Sequence, residues 1–256
     1  MKRVLLRVAY DGTNYHGYQF QDNVDTIEGT LRIAIKELTG EECELVGGSR
    51  TDAGVHALDN VVVFDTSSSI PGDKFCYALN PHLPEDIRVL SSMDVDDDFH
   101  PRHRDSVKTY EYHVYNARIE NPIKNRYSHF TYSKLDIEAM KKAAGLMTGE
   151  HDFSSFCAAG AQVDSKVRTI YSCEVLMKST EEAINPNVGN DIIIRVSGNG
   201  FLYNMVRIIA GTLLEVGNGR TKPEDIVGII DAMDRSKAGP TAPACGLTLV
   251  RYWFEE

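Results

Sequence analysis

The chain has no long apolar run, little cysteine, a single tryptophan and fewer basic than acidic residues. Each shortage excludes something. No stretch of the 256 residues approaches the roughly 20 consecutive apolar positions that a membrane-spanning helix needs. The opening Met1-Lys2-Arg3-Val4-Leu5-Leu6 runs straight into a strand pattern, so no cleaved leader is expected. Cys43, Cys76, Cys157, Cys173 and Cys245 are scattered, odd in number and never in a Cys-x-x-Cys pair. That pattern predicts reduced thiols in a cytoplasm and argues against a structural zinc. The eight histidines show no metal-ligand spacing either; His100 and His103 lie beside a proline and two arginines. No metal is expected. A net charge of −10 weighs against a nucleic-acid partner, since phosphate contact is driven by Lys and Arg. The average does not decide the matter, because a local basic groove can coexist with acidic clusters such as Asp94-Val95-Asp96-Asp97-Asp98 and Glu181-Glu182. The remaining composition, 42% apolar and 25% charged, is that of a globular protein with one large or two smaller domains.

The chain is organised around the polar, glycine-rich stretch Gly47-Gly48-Ser49-Arg50-Thr51-Asp52-Ala53-Gly54-Val55-His56-Ala57, set between Cys43–Val46 and Asn60–Phe64. Its three glycines predict positive backbone φ and a sharp bend. The bend presents an arginine, an aspartate and a histidine. A carboxylate beside a guanidinium is held ionised and can act as nucleophile or base. The plainer reading is a turn in which Asp52 bonds its own backbone and Arg50 is solvated.

Residues 3–10 read as a strand ending at Asp11-Gly12. Thr26 is placed to cap a helix carrying Ile27, Leu31, Ile35 and Leu38, with Gly40 ending it. Strands flank the central loop at 43–47 and 58–66, a short helix is expected over 72–80, and a further strand over 87–95. The order β-α-β-β-α-β is ferredoxin-like. It recurs after residue 104: strands over 109–115, 167–178, 191–198 and 247–254, and helices over 135–148, from Phe201 to about Val216, and after Pro223. The expected fold class is therefore α+β, with two ferredoxin-like (RRM-like) halves of antiparallel sheet and a cleft between them. The domains are residues 1–98 with the loop 47–57, a basic junction 99–104, and residues 105–256.

Three other stretches carry candidate chemistry. Tyr10–Gln21 mixes aromatics, amides and hydroxyls, as a surface that stacks on bases would; it equally fits a loop packed by its own tyrosines. Phe99-His100-Pro101-Arg102-His103-Arg104, continuing to Lys108, is the most basic short stretch and reads as a phosphate contact or as a solvated linker. Tyr110 follows on a strand edge, where a tyrosine is usually core. Arg207 sits in the most apolar helix, after Gly198–Asn204. Its head needs a carboxylate, a phosphate or water.

Arg50-Thr51-Asp52-Ala53-Gly54-Val55-His56-Ala57 resembles the catalytic-loop signature of the tRNA pseudouridine synthase A family. The Asp11-Gly12-Thr13 and Gly17-Tyr18-Gln19 segment, Gly149–Phe156, Arg168-Thr169-Ile170, Asn199–Leu202, Met205-Val206-Arg207 and Ala242–Leu247 are similar to further blocks of that family, in family order. Residues 157–166 fit it less closely. The resemblance implies a homodimeric pseudouridine synthase fold that converts uridine to pseudouridine in the anticodon stem-loop of tRNA (positions 38, 39 and 40), without a cofactor. It implies Asp52 as nucleophile, attacking ribose C1′ or the base or removing a ribose proton. Arg50 would hold the flipped-out geometry, Arg207 would pair with Asp52, and Tyr110 would stack on the base. Arg102, Arg104, Lys108 and Arg168 are candidate tRNA contacts. Two rivals remain, an RNA-binding module without chemistry and a nucleosidase acting on free nucleosides.

Overall fold

The computed structural model describes residues 1–160, 163–178 and 189–255. The acidic pair Glu181-Glu182, and Ala161 and Gln162 of the 157–166 stretch, lie outside them. The chain folds as two compact units, residues 1–106 with 248–256, and residues 107–247.

The first unit begins with β1 (Lys2–Tyr10), whose Val4, Leu6 and Val8 are fully buried. α1 (Ile27–Thr39) starts where the Thr26 hydroxyl accepts from the Gly29 amide at 3.1 Å. It ends where Gly40, at φ 76°, returns its N–H to the Lys36 carbonyl at 2.8 Å. An N-cap side chain and a left-handed C-terminal glycine satisfy donors and acceptors that a helix end otherwise leaves open. Leu31, Ala34 and Ile35 make its buried face. β2 (Val46–Gly47) is shorter than the expected 43–47, while β3 (His56–Thr66) starts two residues earlier than expected. α2 (Phe75–Leu79) and β4 (Ile87–Val95) complete the series.

β1 lies antiparallel between β3 and β4, with Leu5 opposite Val63 and Met93. β2 pairs with the far half of β3, at Val46↔Val63. The resulting order β4-β1-β3-β2 is the ferredoxin-like arrangement read from the sequence. β10 (Leu247–Phe254) lies parallel to the start of β3, through Thr248↔His56 and Leu249↔Ala57. Arg7 fixes it further along by donating to both Asp59 and the Tyr252 carbonyl, at 2.7 and 2.9 Å.

The second unit holds β5 (Ser106–Asn116), β6 (His129–Thr131), α3 (Ile137–Gly145), β7 (Gly149–Asp152), β8 (Val167–Lys178), β9 (Asn190–Gly198), α4 (Met205–Gly217) and α5 (Asp225–Asp231). Its sheet runs β5-β9-β8-β7, all antiparallel, with β6 parallel to β5. The short strands β6 and β7 were not expected. α4 begins at Met205 rather than Phe201, because Asn204 adopts a left-handed conformation at φ 59° and stops the helix from starting earlier. α4 is buried almost all round. Gly211 lets it meet the following chain: a Cβ there would sit 1.8 Å from the Pro240 carbonyl oxygen.

Candidate active site

The loop 47–57 is held by uncharged polar groups brought from three distant parts of the first unit. Asn60, fully buried in β3, accepts from the Ser49 amide at 3.2 Å and donates to the Ser49 carbonyl at 2.9 Å. It also donates to the Tyr10 hydroxyl at 3.1 Å, and that hydroxyl is 2.7 Å from Thr51 Oγ1. Burial pushes the Tyr10 phenol up to about 12, against the pull of its two hydrogen-bond partners, so it is a neutral hydroxyl at any physiological pH. The backbone of Tyr18 donates to the Thr51 carbonyl at 3.0 Å, and Gly54 donates to Tyr15 at 3.3 Å. The Val55 amide closes the turn on the Asp52 carbonyl at 3.1 Å.

Of the three glycines expected to take positive φ, only Gly54 does, at 76°. Gly47 and Gly48 answer a different need, close approach. A Cβ at Gly47 would fall 2.3 Å from the Tyr18 ring, and one at Gly48 would fall 2.6 Å from the Tyr252 ring. Two aromatic rings therefore replace two side chains beneath the loop. His56 is buried behind it, with Nδ1 at 3.1 Å from both the Gly12 amide and Asp11 Oδ1. A ring nitrogen carries either a proton or a lone pair. The Asp11 contact is thus an ion pair when His56 is protonated, and Gly12 N–H is the donor when it is neutral.

Tyr10, Tyr15 and Tyr18 are all buried. They scaffold the loop, which favours the second of the two readings of Tyr10–Gln21, a segment packed by its own tyrosines. Packing decides this: the phenols occupy the space left by Gly47 and support Thr51, leaving Thr13, Asn14, His16 and Gln19–Gln21 as the exposed side of that segment.

Asp52 is half-buried, and Arg50 is exposed with no hydrogen bond or ion pair among the described residues. The basic stretch after Phe99 is no loose linker. Arg3 donates to the Phe99 carbonyl at 3.0 Å, the Phe99 ring meets Phe254 edge-on at 5.1 Å, and the Tyr252 hydroxyl donates to the Pro101 carbonyl at 2.6 Å. Arg102 projects from the tip of the turn His100–His103, exposed and without a carboxylate partner among the described residues. Arg104 instead meets Asp98 at 3.5 Å and covers Phe99 at 5.6 Å.

In the second unit Tyr110 is 7% exposed, its ring edge-on to Phe201 at 5.3 Å. Lys108, half-buried, stands two residues before it opposite Gly198. The same corner gathers Arg168, whose side chain runs past Gly200, and Thr169, whose amide donates to Asn199 Oδ1 at 3.0 Å. Partial burial pushes the Arg168 guanidinium down from its ordinary value. Arg207 is aimed by two acceptors, the Ala242 carbonyl on Nε and Asn204 Oδ1 on Nη1, both at 2.8 Å. The Asn204 side chain serves Arg207 rather than capping α4. Among the described residues no group of three His, Cys, Asp or Glu side chains could hold a metal ion, and no helix is long and apolar enough to cross a membrane.

The pattern of the tRNA pseudouridine synthase family matches residues 7–104 and 143–255. The chain belongs to that family. It is 48% identical to the tRNA pseudouridine synthase A of Ruminiclostridium cellulolyticum over 99% of this chain and all of that one. With the protein of the same name from Acetivibrio thermocellus it shares 45% identity, again over 99% and 100%. Among solved structures, a chain of the archaeal box H/ACA sRNP Nop10–Cbf5 complex aligns with 92% of this chain and 59% of its own, at 14% identity and a TM-score of 0.34, a likeness too slight to build on.

The family match leaves out residues 105–142, the segment that contains Lys108 and Tyr110. Sequence reasoning missed Asn60, Tyr10 and Asn204 as groups that hold the proposed site residues. One signal was available for Asn60: a lone amide at the head of Val61-Val62-Val63-Phe64 has to find partners if that strand is buried. Asn204 carried none, since its role depends on a left-handed backbone that only the folded chain displays.

Proposed function

We infer that the chain is a tRNA pseudouridine synthase, an isomerase that detaches uracil from C1′ at N1, turns it and rejoins it through C5. The glycosidic C–N bond breaks, a C–C bond forms, the C5 proton leaves and N1 takes a proton up. No electron is gained or lost. The observation that carries the reading is the loop Arg50–Ala57, held rigid from below, in a chain nearly half identical over its whole length to tRNA pseudouridine synthases A. A paired or stacked uridine must first be flipped out, at a cost of a few kcal/mol. That cost calls for a site whose groups are already in place.

Asp52 is the nucleophile in this reading, attacking ribose or base or removing a ribose proton. Arg50 holds the extruded nucleotide, Tyr110 offers its ring to the base, and Arg207 keeps Asp52 ionised. Arg102, Arg104, Lys108 and Arg168 meet phosphates. The substrate site is the anticodon stem-loop, and the working form is a cytoplasmic homodimer. Support comes from the blocks shared with the family and from the two acceptors that fix the Arg207 head.

Asp52→Asn tests the reading. The amide keeps the shape without the nucleophile, so the variant should bind tRNA as the wild type does and lose at least about a thousandfold in rate, equivalent to about 4 kcal/mol of barrier. Near-normal pseudouridine formation by the variant would refute the assignment. Release of free uracil from nucleosides by the wild type would make the protein a nucleosidase.

A further inference from the structure

Arg50 and Arg102 are 52 positions apart in the sequence, yet one side chain ties both segments together. The ring of Tyr252, fully buried, lies against Gly48, two residues before Arg50. The hydroxyl of the same residue donates to the Pro101 carbonyl, one residue before Arg102, at 2.6 Å. Arg102 then stands at the tip of a turn closed by the His103 amide on the His100 carbonyl at 3.0 Å and braced by the stacked imidazoles of His100 and His103, 3.8 Å apart. Neither arginine forms an ion pair with a carboxylate among the described residues, whereas Arg3, Arg7 and Arg32 in the same unit each do; of the other unpaired arginines there, Arg88 donates to the Pro84 and Ile87 carbonyls and Arg251 lies over the Trp253 ring. Partial desolvation and the nearby Arg50 push Arg102 down from its ordinary value. The Tyr18 hydroxyl, buried and within the field of Arg102, has no hydrogen-bond partner among the described residues.

Two guanidiniums held near each other without a carboxylate ion pair repel, Arg102 feeling the weaker pull of Glu28 at a distance, and the arrangement is favourable when one anion bridges them. A phosphodiester does so well, because each planar guanidinium matches two of its oxygens. We propose that Arg50 and Arg102 form a clamp for a single RNA phosphodiester, the one flanking the nucleotide presented to Asp52. The proposal rests on the isomerase reading for its ligand and gives Arg50 and Arg102 one shared contact rather than two separate ones. Asp52 follows Arg50 by two residues, so the clamp fixes the RNA backbone next to the reacting sugar. Arg104, already engaged with Asp98, takes no part.

The test uses the full-length protein and an anticodon stem-loop RNA carrying one neutral methylphosphonate at each linkage in turn. With the wild type, one linkage should stand out, its neutralisation weakening binding about tenfold, the size of a lost charge-assisted hydrogen bond. In Arg50→Ala and in Arg102→Ala that same linkage should become silent, within twofold of the unmodified RNA, while other linkages behave as before. The slope of log affinity against log salt should fall by about 0.7, one single-strand phosphate, in either variant and by no more in the double variant. Both side chains are exposed, so neither change threatens folding. The clamp is overturned if the two variants silence different linkages, if the slope loss doubles in the double variant, or if the wild type shows no sensitive linkage. Pseudouridine formation on the unmodified RNA is scored separately. A wild type that binds but does not isomerise counts against the isomerase reading, and the methylphosphonate pattern still decides the clamp.

Discussion

Replacing Asn60 is the sharpest test of how the loop is held. Its side chain makes three long-range hydrogen bonds, two to the Ser49 backbone and one to the Tyr10 hydroxyl, all in a fully buried position. Each is worth about 1 kcal/mol net, and more where a buried partner is left unsatisfied. Asn60→Ala should therefore cost about 3 kcal/mol. At about 2–4 °C per kcal/mol for a chain of this size, the midpoint of thermal unfolding should fall by about 10 °C. Asn60→Val separates causes, because it refills the volume in a strand of valines without restoring a bond. If hydrogen bonding is what matters, Val should be as unstable as Ala. Activity gives a second readout. Ser49 and Thr51 lose a common anchor, and a displacement of about 1 Å at a reacting group can cost about a hundredfold. Single-turnover rates at saturating enzyme should drop at least tenfold (about 1.4 kcal/mol) while tRNA affinity holds. A loss of stability under about 1 kcal/mol, or a Val variant as stable as the wild type, would refute the reasoning.

Tyr110→Phe keeps the stacking ring and loses a hydroxyl placed to transfer a proton in the proposed reaction, so it should bind tRNA normally and react slowly, whereas Tyr110→Leu loses both and should be nearly inactive. Equal single-turnover rates for Leu and wild type would make Tyr110 a core residue, as its 7% exposure allows. Tyr18→Phe removes a buried hydroxyl that has no hydrogen-bond partner among the described residues and should raise stability by about 1 kcal/mol in denaturant unfolding; a clear loss would mean that the hydroxyl is satisfied in solution. His129 and His113 titrate below their ordinary value because burial disfavours the charged ring, at His113 despite the pull of Glu111. A depressed folded value means that their contribution is complete above about pH 6.5, the unfolded value, and is lost as pH falls below it. Denaturant midpoints for His129→Gln should accordingly fall less between about pH 7.5 and about pH 5.5 than those of the wild type, and equal drops would contradict that sign.

Local signals were legible in the sequence and long-range ones were not. Thr26 and Gly40 marked both ends of α1 because capping is a matter of a few adjacent residues. The strand patterns of β1, β4, β8 and β9 were equally plain, as alternation or β-branched runs survive in any context. The ferredoxin-like order of the first unit followed from those elements. The start of α4 was misplaced, since one left-handed Asn204 overrules four residues of good helix pattern. The tyrosines of the Tyr10–Gln21 segment fitted a ligand surface and a packed loop equally, because composition does not say which way a ring faces. Their burial depends on Gly47 and Thr51, some thirty to forty positions away. In the same way the loop's glycines were read as sites of positive φ when two of the three serve close packing.

The acidic composition weighs against an RNA partner only as an average, and it loses that meaning once the charges are placed. Arg3 is spent on Asp65, Arg7 on Asp59, Arg32 on Glu28 and Arg195 on Glu111, each at 2.5–2.7 Å. These pairs lie within a sheet or along a helix and contribute little field at a distance, because each cation has its anion beside it. Arg50 and Arg102 are different: they sit beside the loop with no such partner among the described residues. What a phosphate meets is the local potential, which falls away within about 8–10 Å in physiological salt. An excess of ten negative charges spread over the rest of the surface is screened beyond that range. The same excess disfavours loose, sequence-independent adhesion of RNA elsewhere on the protein. An acidic net charge is therefore compatible with a local cationic patch at Arg50 and Arg102, and under the proposed clamp that patch would favour phosphate contact two residues from Asp52.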